Sequence, residues 1–64
     1  MTRHVRRQVM KEALRKSFYD HKLTYVLITD DKIVITQDEQ EAVRLHSEEG
    51  YRVYAMCEEG RLVL

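Results

Sequence analysis

Apolar residues recur at helical spacing through the first part of the chain. Two neighbouring rows with intervals of four residues form this stripe: Val5, Val9, Ala13 and Ser17, and Met10, Leu14 and Phe18. Together the rows follow a period of about 3.6 residues, which predicts a helix over residues 3–19. Thr2 is the predicted N-cap because its hydroxyl can accept a hydrogen bond from the first turn.

The pattern then changes to runs of β-branched and aromatic residues, which are typical of strands. Two such runs, separated by a pair of aspartates that favours a turn, cover residues 23–29 and 32–37. If the two aspartates form a two-residue loop, Val26 lies opposite Ile35 across the predicted hairpin.

A second helix follows the hairpin. Asp38 is its predicted N-cap, and Glu41 completes an aspartate version of the capping box. Gly50 ends the helix because glycine adopts the left-handed closing conformation at low cost. Residues 51–57 then read as a third strand and residues 61–64 as a short fourth strand.

The element order α-β-β-α-β-β predicts a single α+β domain over residues 1–64, a two-layer sandwich with both helices on one sheet face. Read cyclically, this order matches a ferredoxin-like fold whose first strand has moved to the C-terminus. The last strand would then lie between the third strand and the hairpin. In the simpler alternative it lies at an edge, and in both arrangements one sheet face stays uncovered.

The uncovered sheet face is the first candidate binding surface. Alternation along the third strand directs Val53, Ala55 and Cys57 towards the helices. The open face then collects apolar and aromatic residues with a charged rim, as at protein interfaces. Its predicted members are Tyr25, Leu27, Val34, Tyr54 and Met56, with Lys32 and Arg52 at the rim. In the alternative, the register slips by one residue and these side chains form the core.

Charge is sorted along the chain although the formal net charge is zero. Residues 1–22 carry seven basic and two acidic side chains, a net charge of +5. Residues 23–64 carry four basic and nine acidic side chains, a net charge of −5. This asymmetry predicts either a polyanionic partner for the first part or a charged seam, within one chain or between copies.

The basic helix is the second candidate surface, through the row Arg3, Arg7, Lys11 and Arg15. Such a row can contact nucleic-acid phosphates, contact an acidic protein surface, or remain solvated. Because the rest of the chain cancels the positive charge, we expect an acidic protein surface rather than nucleic acid.

The chain length indicates association. A domain of 64 residues buries only about 60% of its unfolded surface and is marginally stable alone. Cys57 is the single cysteine, so no intrachain disulfide can form. We therefore expect a homo-oligomer. The absence of an export signal and of an apolar run of about 18–20 residues favours a cytoplasmic protein that does not enter membranes.

The chemistry-bearing residues do not indicate an enzyme. His4, His21 and His46 are scattered and lack the spacing of metal ligands. A Cys57 nucleophile activated by His46 is the one catalytic pairing considered, and packing explains a strand cysteine better. The sequence therefore predicts no catalytic residue, metal or cofactor.

The function predicted from the sequence is a small non-enzymatic regulatory domain that binds protein. It would self-associate through the open sheet face and occupy a protein partner. The alternative is a small nucleic-acid-binding regulator that uses the basic helix.

Overall fold

The computed structural model describes residues 3–64, so the predicted N-cap Thr2 lies outside the described residues. The elements are α1 (Arg3–Asp20), β1 (Thr24–Ile28), β2 (Ile33–Thr36), α2 (Glu39–Glu48), β3 (Arg52–Glu58) and β4 (Arg61–Leu62). This order confirms the predicted α-β-β-α-β-β arrangement and the α+β class.

The four strands form an antiparallel sheet in the order β2-β1-β3-β4. β4 therefore lies at an edge beside β3, as in the simpler predicted arrangement. The permuted ferredoxin-like order is wrong. It requires β4 between β3 and the hairpin, whereas β3 pairs directly with β1 of the hairpin. Pairing continues past β4, where the Val63 N–H donates to the Met56 carbonyl at 2.8 Å.

The hairpin register agrees with a loop of two aspartates. Val26 lies opposite Ile35. The Thr29 N–H donates to the Lys32 carbonyl at 2.9 Å and closes the loop. Turn chemistry and strand alternation were sufficient to predict this register.

The two helices pack against opposite faces of the sheet. α1 packs through Ala13 onto Val26, and α2 packs through Ala42 and Leu45 onto Leu27. Val26 and Leu27 are consecutive in β1, and consecutive strand residues face opposite sides. The prediction that both helices share one face is therefore wrong, and the sheet lies between them.

The composition of β1 explains this arrangement. Its sequence Thr-Tyr-Val-Leu-Ile has no alternation of apolar and charged residues, and Val26 and Leu27 are 1% and 0% exposed. A strand that is apolar on both sides needs cover on both sides. One helix on each face supplies that cover.

Local signals set the ends of α2. The Asp38 side chain accepts hydrogen bonds from two backbone N–H groups of the first turn, including that of Glu41, which confirms the predicted N-cap. After the helix, Gly50 has a φ of 75°. The Tyr51 N–H then donates to the Leu45 carbonyl at 3.0 Å.

The last turns of α1 hold the β3–β4 turn. Ser17 is fully buried, and its hydroxyl donates to the Leu14 carbonyl at 2.8 Å. The same hydroxyl accepts the Gly60 N–H at 3.0 Å. Gly60 has a φ of 79°, and a Cβ there would lie 3.3 Å from the Phe18 side chain. Ser17, which the sequence pattern places on the apolar stripe, is thus the polar link between helix and sheet.

Replacing Ser17 with alanine should lower the free energy of unfolding by about 1–3 kcal/mol, because a partly buried Gly60 N–H loses its acceptor. Ser47→Ala is the matched control. The Ser47 hydroxyl donates to the Val43 carbonyl at 2.8 Å on an exposed helix surface, so we expect a change within about 0.5 kcal/mol. Urea unfolding of both variants measures the difference. If Ser17→Ala and Ser47→Ala lower the free energy of unfolding by the same small amount, the role given to Ser17 is wrong.

Candidate interaction surfaces

A β-bulge in β3 decides which of its side chains reach each sheet face. The consecutive β1 residues 26–27 pair with Ala55 and Val53, which leaves Tyr54 as an extra residue between them. An extra residue interrupts the strict alternation of a strand. Val53 and Met56 consequently share the α2 side, where they line one groove. Val53 was predicted to share the face of Ala55 and Tyr54 that of Met56, and the bulge exchanges these two assignments.

Three of the seven residues predicted for the open face pack against α2. Leu27 is fully buried, and Tyr25 and Val34 pack partly buried against the same cluster as Ala42 and Leu45. The assignment of Leu27 and Val34 to an uncovered face is therefore wrong, whereas Tyr25 is only partly buried and also lines an open groove between α2 and β3. The prediction missed this because it placed both helices on the other side of the sheet.

The remaining β3 residues of the predicted open face, Arg52, Tyr54 and Met56, do not share one surface either. Met56 is on the α2 side, whereas Tyr54 lines a groove with residues of α1. Arg52 lies opposite Ile28, which places it on the α1 side, and its guanidinium is 3.9 Å from a carboxylate oxygen of Asp30. An exposed ion pair of this length contributes little to stability.

One part of the α2-side face remains open and apolar. α2 packs on β1 and β2, and a shallow groove lies between α2 and β3. We call the exposed and partly buried members of its apolar lining the α2-side strip, which consists of Tyr25, Val43, Val53 and Met56. Val43 and Val53 are 58% and 40% exposed. Adjacent exposed apolar side chains of this kind are typical of protein interfaces.

Polar groups of α2 border the strip. Burial and, to a lesser extent, the Glu39 carboxylate raise the pKa of the Tyr25 phenol. His46 Nδ1 lies 2.8 Å from the Tyr51 carbonyl oxygen. A carbonyl oxygen can only accept, so Nδ1 carries the proton and donates. This bond orients the imidazole ring at the edge of the strip.

The basic row lies on the exposed surface of α1, as the sequence pattern indicates. Its four members Arg3, Arg7, Lys11 and Arg15 are all exposed. Between the row and β3 is a second shallow groove, the α1-side groove, lined by Arg3, Arg6, Arg7, Met10, Lys11, Leu14 and Tyr54. The apolar residues form its floor, and the cations form its border. Arg15 lies beyond this groove.

The fold turns the charge asymmetry of the sequence into two oppositely charged faces. The α1 segment carries six basic and two acidic side chains, a net charge of +4. Residues 38–49, on the opposite face, carry five acidic and one basic side chain, a net charge of −4. Among residues 3–64, one α1 cation has a carboxylate within 4 Å. It is Lys16, whose Nζ lies 3.9 Å from a carboxylate oxygen of Asp20. No carboxylate of residues 3–64 thus lies within 4 Å of a cation at the border of the groove.

Cys57 and His46 cannot act together. Cys57 is fully buried in the core on the α1 side, whereas His46 lines the groove on the α2 side. Burial also raises the pKa of the Cys57 thiol, which opposes formation of a nucleophilic thiolate. The Cys57–His46 pairing considered from the sequence is therefore wrong.

Two features of residues 3–64 concern metal binding and membranes. No group of three or more histidine, cysteine, aspartate or glutamate side chains in this range could hold a metal ion. Neither α1 nor α2 is long and apolar enough to cross a membrane.

Comparison with known proteins adds no constraint on these surfaces. No protein family, curated protein or solved structure matches this chain. A proposal about function therefore rests on the two grooves, their charges and their apolar residues.

In the native protein, Cys57 should react with iodoacetamide at least about 100-fold more slowly than in the unfolded chain, because reaction requires opening of the core. The raised pKa acts in the same direction, since less thiolate is present at any given pH below that pKa. Cys57 is the single cysteine, so mass spectrometry of the intact chain measures its reaction directly. Equal rates in water and in denaturant would contradict the buried position.

Proposed function

We propose that this chain is a small non-enzymatic binding domain that associates with a second copy of itself through the α2-side strip. The observation that carries this proposal is the exposure of Val43 and Val53 beside the partly buried Met56. Val43 and Val53 are 58% and 40% exposed, so covering both contributes about as much as the full burial of one exposed valine, roughly 1.5–3 kcal/mol. Covering the strip would therefore provide a substantial gain to a chain of this size.

The small core supports association. Its buried apolar members include three alanines, and Val26 and Leu27 are its largest fully buried apolar side chains. A single core in a domain of about this size supplies only about 3–5 kcal/mol, so a disulfide, a metal or a partner subunit often adds to it. Binding of a second copy stabilises the folded state by mass action.

The shape of the strip favours a protein over a small molecule as its occupant. Sites for small ligands are concave and bury about 70–90% of the ligand surface. The groove between α2 and β3 is shallow, and its polar lining is limited to Glu39, His46 and Ser47. A broad apolar surface with a polar rim suits a second protein surface.

Nucleic-acid binding by α1 is the second candidate function. The observation that favours it is the exposed basic row, which lies on the sheet face opposite the acidic α2. Lysine and arginine in such a row can neutralise phosphates and release counterions. The zero net charge of the chain ranks this function second, because nucleic-acid-binding domains usually carry net positive charge.

Val43→Lys should convert an associated wild-type protein to single chains, because association would bury an unpaired ammonium group. Gln40→Lys is the control, with the same new charge on the same helix. Gln40 lines a different surface with Asp38, Glu41 and Arg44. Light scattering from about 1 to 100 μM protein measures the mass. The proposal fails if the wild type has the mass of one chain, 7.7 kDa, throughout this range.

Generic DNA and RNA should bind with a Kd no tighter than about 10⁻⁶–10⁻⁴ M at about 150 mM salt. The measurement is a salt titration of fluorescence anisotropy with labelled oligonucleotides. An Arg7→Glu/Lys11→Glu variant is the comparison. A sub-micromolar complex that weakens steeply with salt and disappears in this variant would favour the second candidate function instead.

A further inference from the structure

We propose that the copies associate head to tail, with the α2-side strip of one copy docked on the α1-side groove of the next. The inference rests on the proposed self-association and adds which surface of the second copy occupies the strip. It also gives the basic residues of α1 a partner, namely the acidic face of another copy.

Charge complementarity carries this choice. Contact between two strips would bring together two Glu39 carboxylates, each in a segment 38–49 with a net charge of −4. Contact between the strip and the groove instead brings such a segment against an α1 with a net charge of +4. Exposed charges are screened beyond about 8–10 Å, so the side chains at the borders matter most. Glu39 borders the strip, and Arg7 and Lys11 border the groove.

The apolar parts of the two surfaces are also compatible. The groove presents Met10, Leu14 and Tyr54, and Tyr54 is 42% exposed. The strip presents Met56 together with two valines. A methionine on each side allows the surfaces to adapt to one another because its side chain is flexible. Apolar centres with oppositely charged borders are the arrangement expected for a specific interface.

The position of the two surfaces determines the kind of assembly. The strip and the groove lie on opposite faces of one sheet, so each copy can use both surfaces at once. A heterologous contact of this kind generates a closed ring or an open chain of subunits. A two-fold dimer, in contrast, uses the same patch on both copies.

The test uses two variants that each lose one surface. Val43→Lys removes the strip and leaves the groove intact, whereas Arg7→Glu/Lys11→Glu removes the groove and leaves the strip intact. We expect each variant alone to be a single chain, because neither has both surfaces. An equimolar mixture should contain a complex of two chains, since one variant retains the groove and the other retains the strip. Native mass spectrometry and light scattering measure both results.

Two controls separate surface loss from a change in charge. Lys16→Glu/Lys22→Glu changes the net charge by the same amount away from the groove and should associate like the wild type. A variant with all three substitutions at residues 7, 11 and 43 should pair with neither parent variant. Circular dichroism tests whether each variant is folded. If Val43→Lys is not folded, Val53→Lys replaces it, and if Arg7→Glu/Lys11→Glu is not folded, Arg3→Glu/Arg7→Glu replaces it.

The outcomes distinguish the two proposals. A wild type that remains a single chain contradicts self-association itself. If the wild type associates and Arg7→Glu/Lys11→Glu associates equally well, self-association stands and the head-to-tail contact is wrong. The head-to-tail contact is also wrong if both variants still dimerise, as pairing through the outer edge of β2 would allow. It is likewise wrong if the mixture of the two variants forms no complex.

Discussion

The double-sided burial of β1 is the constraint from which the rest of this structure follows. Val26 and Leu27 are consecutive and almost completely inaccessible to solvent, so both faces of the sheet must be covered. A chain of 64 residues provides one helix for each face. α1 covers β1, β3 and β4, whereas the shorter α2 covers β1 and β2. The part of β3 that α2 leaves uncovered contributes Val53 and Met56 to the α2-side strip.

The same constraint separates the basic and acidic charges of the chain onto two faces. In a sandwich with both helices on one side, the basic α1 and the acidic α2 would be neighbours, and their charges would largely cancel. With the sheet between them, the charges form two separate faces. Such a separation favours contacts between unlike faces of different copies and disfavours contacts between like faces.

Local chemistry made much of the fold predictable. Helical spacing located α1, the aspartate pair set the hairpin register, and Asp38 capped α2 as its side chain predicts. An alternating β1 predicts both helices on one face, whereas the apolar neighbours Val26 and Leu27 indicate burial on both faces and hence one helix on each. That signal was present in the sequence.

The faces of Val53 and Tyr54 were not predictable in the same way. The bulge occurs within the run Val-Tyr-Ala-Met, which contains no glycine to mark it. It depends on how β3 pairs with β1, and pairing between distant segments leaves no local signal. The exposed basic row of α1 was predictable from residue spacing alone. The position of Tyr54 in the α1-side groove, in contrast, depends on the bulge, which turns this side chain towards α1.

The bulge also links the two proposed surfaces physically. It directs Val53 to the α2-side strip and Tyr54 to the α1-side groove, so consecutive residues of β3 contribute to both. The surfaces therefore lie back to back across one strand. In a head-to-tail assembly, the line of contacts would pass through β3 in every copy. A regular strand would also place neighbours on opposite faces, but it would exchange these two side chains, giving tyrosine to the strip and valine to the groove.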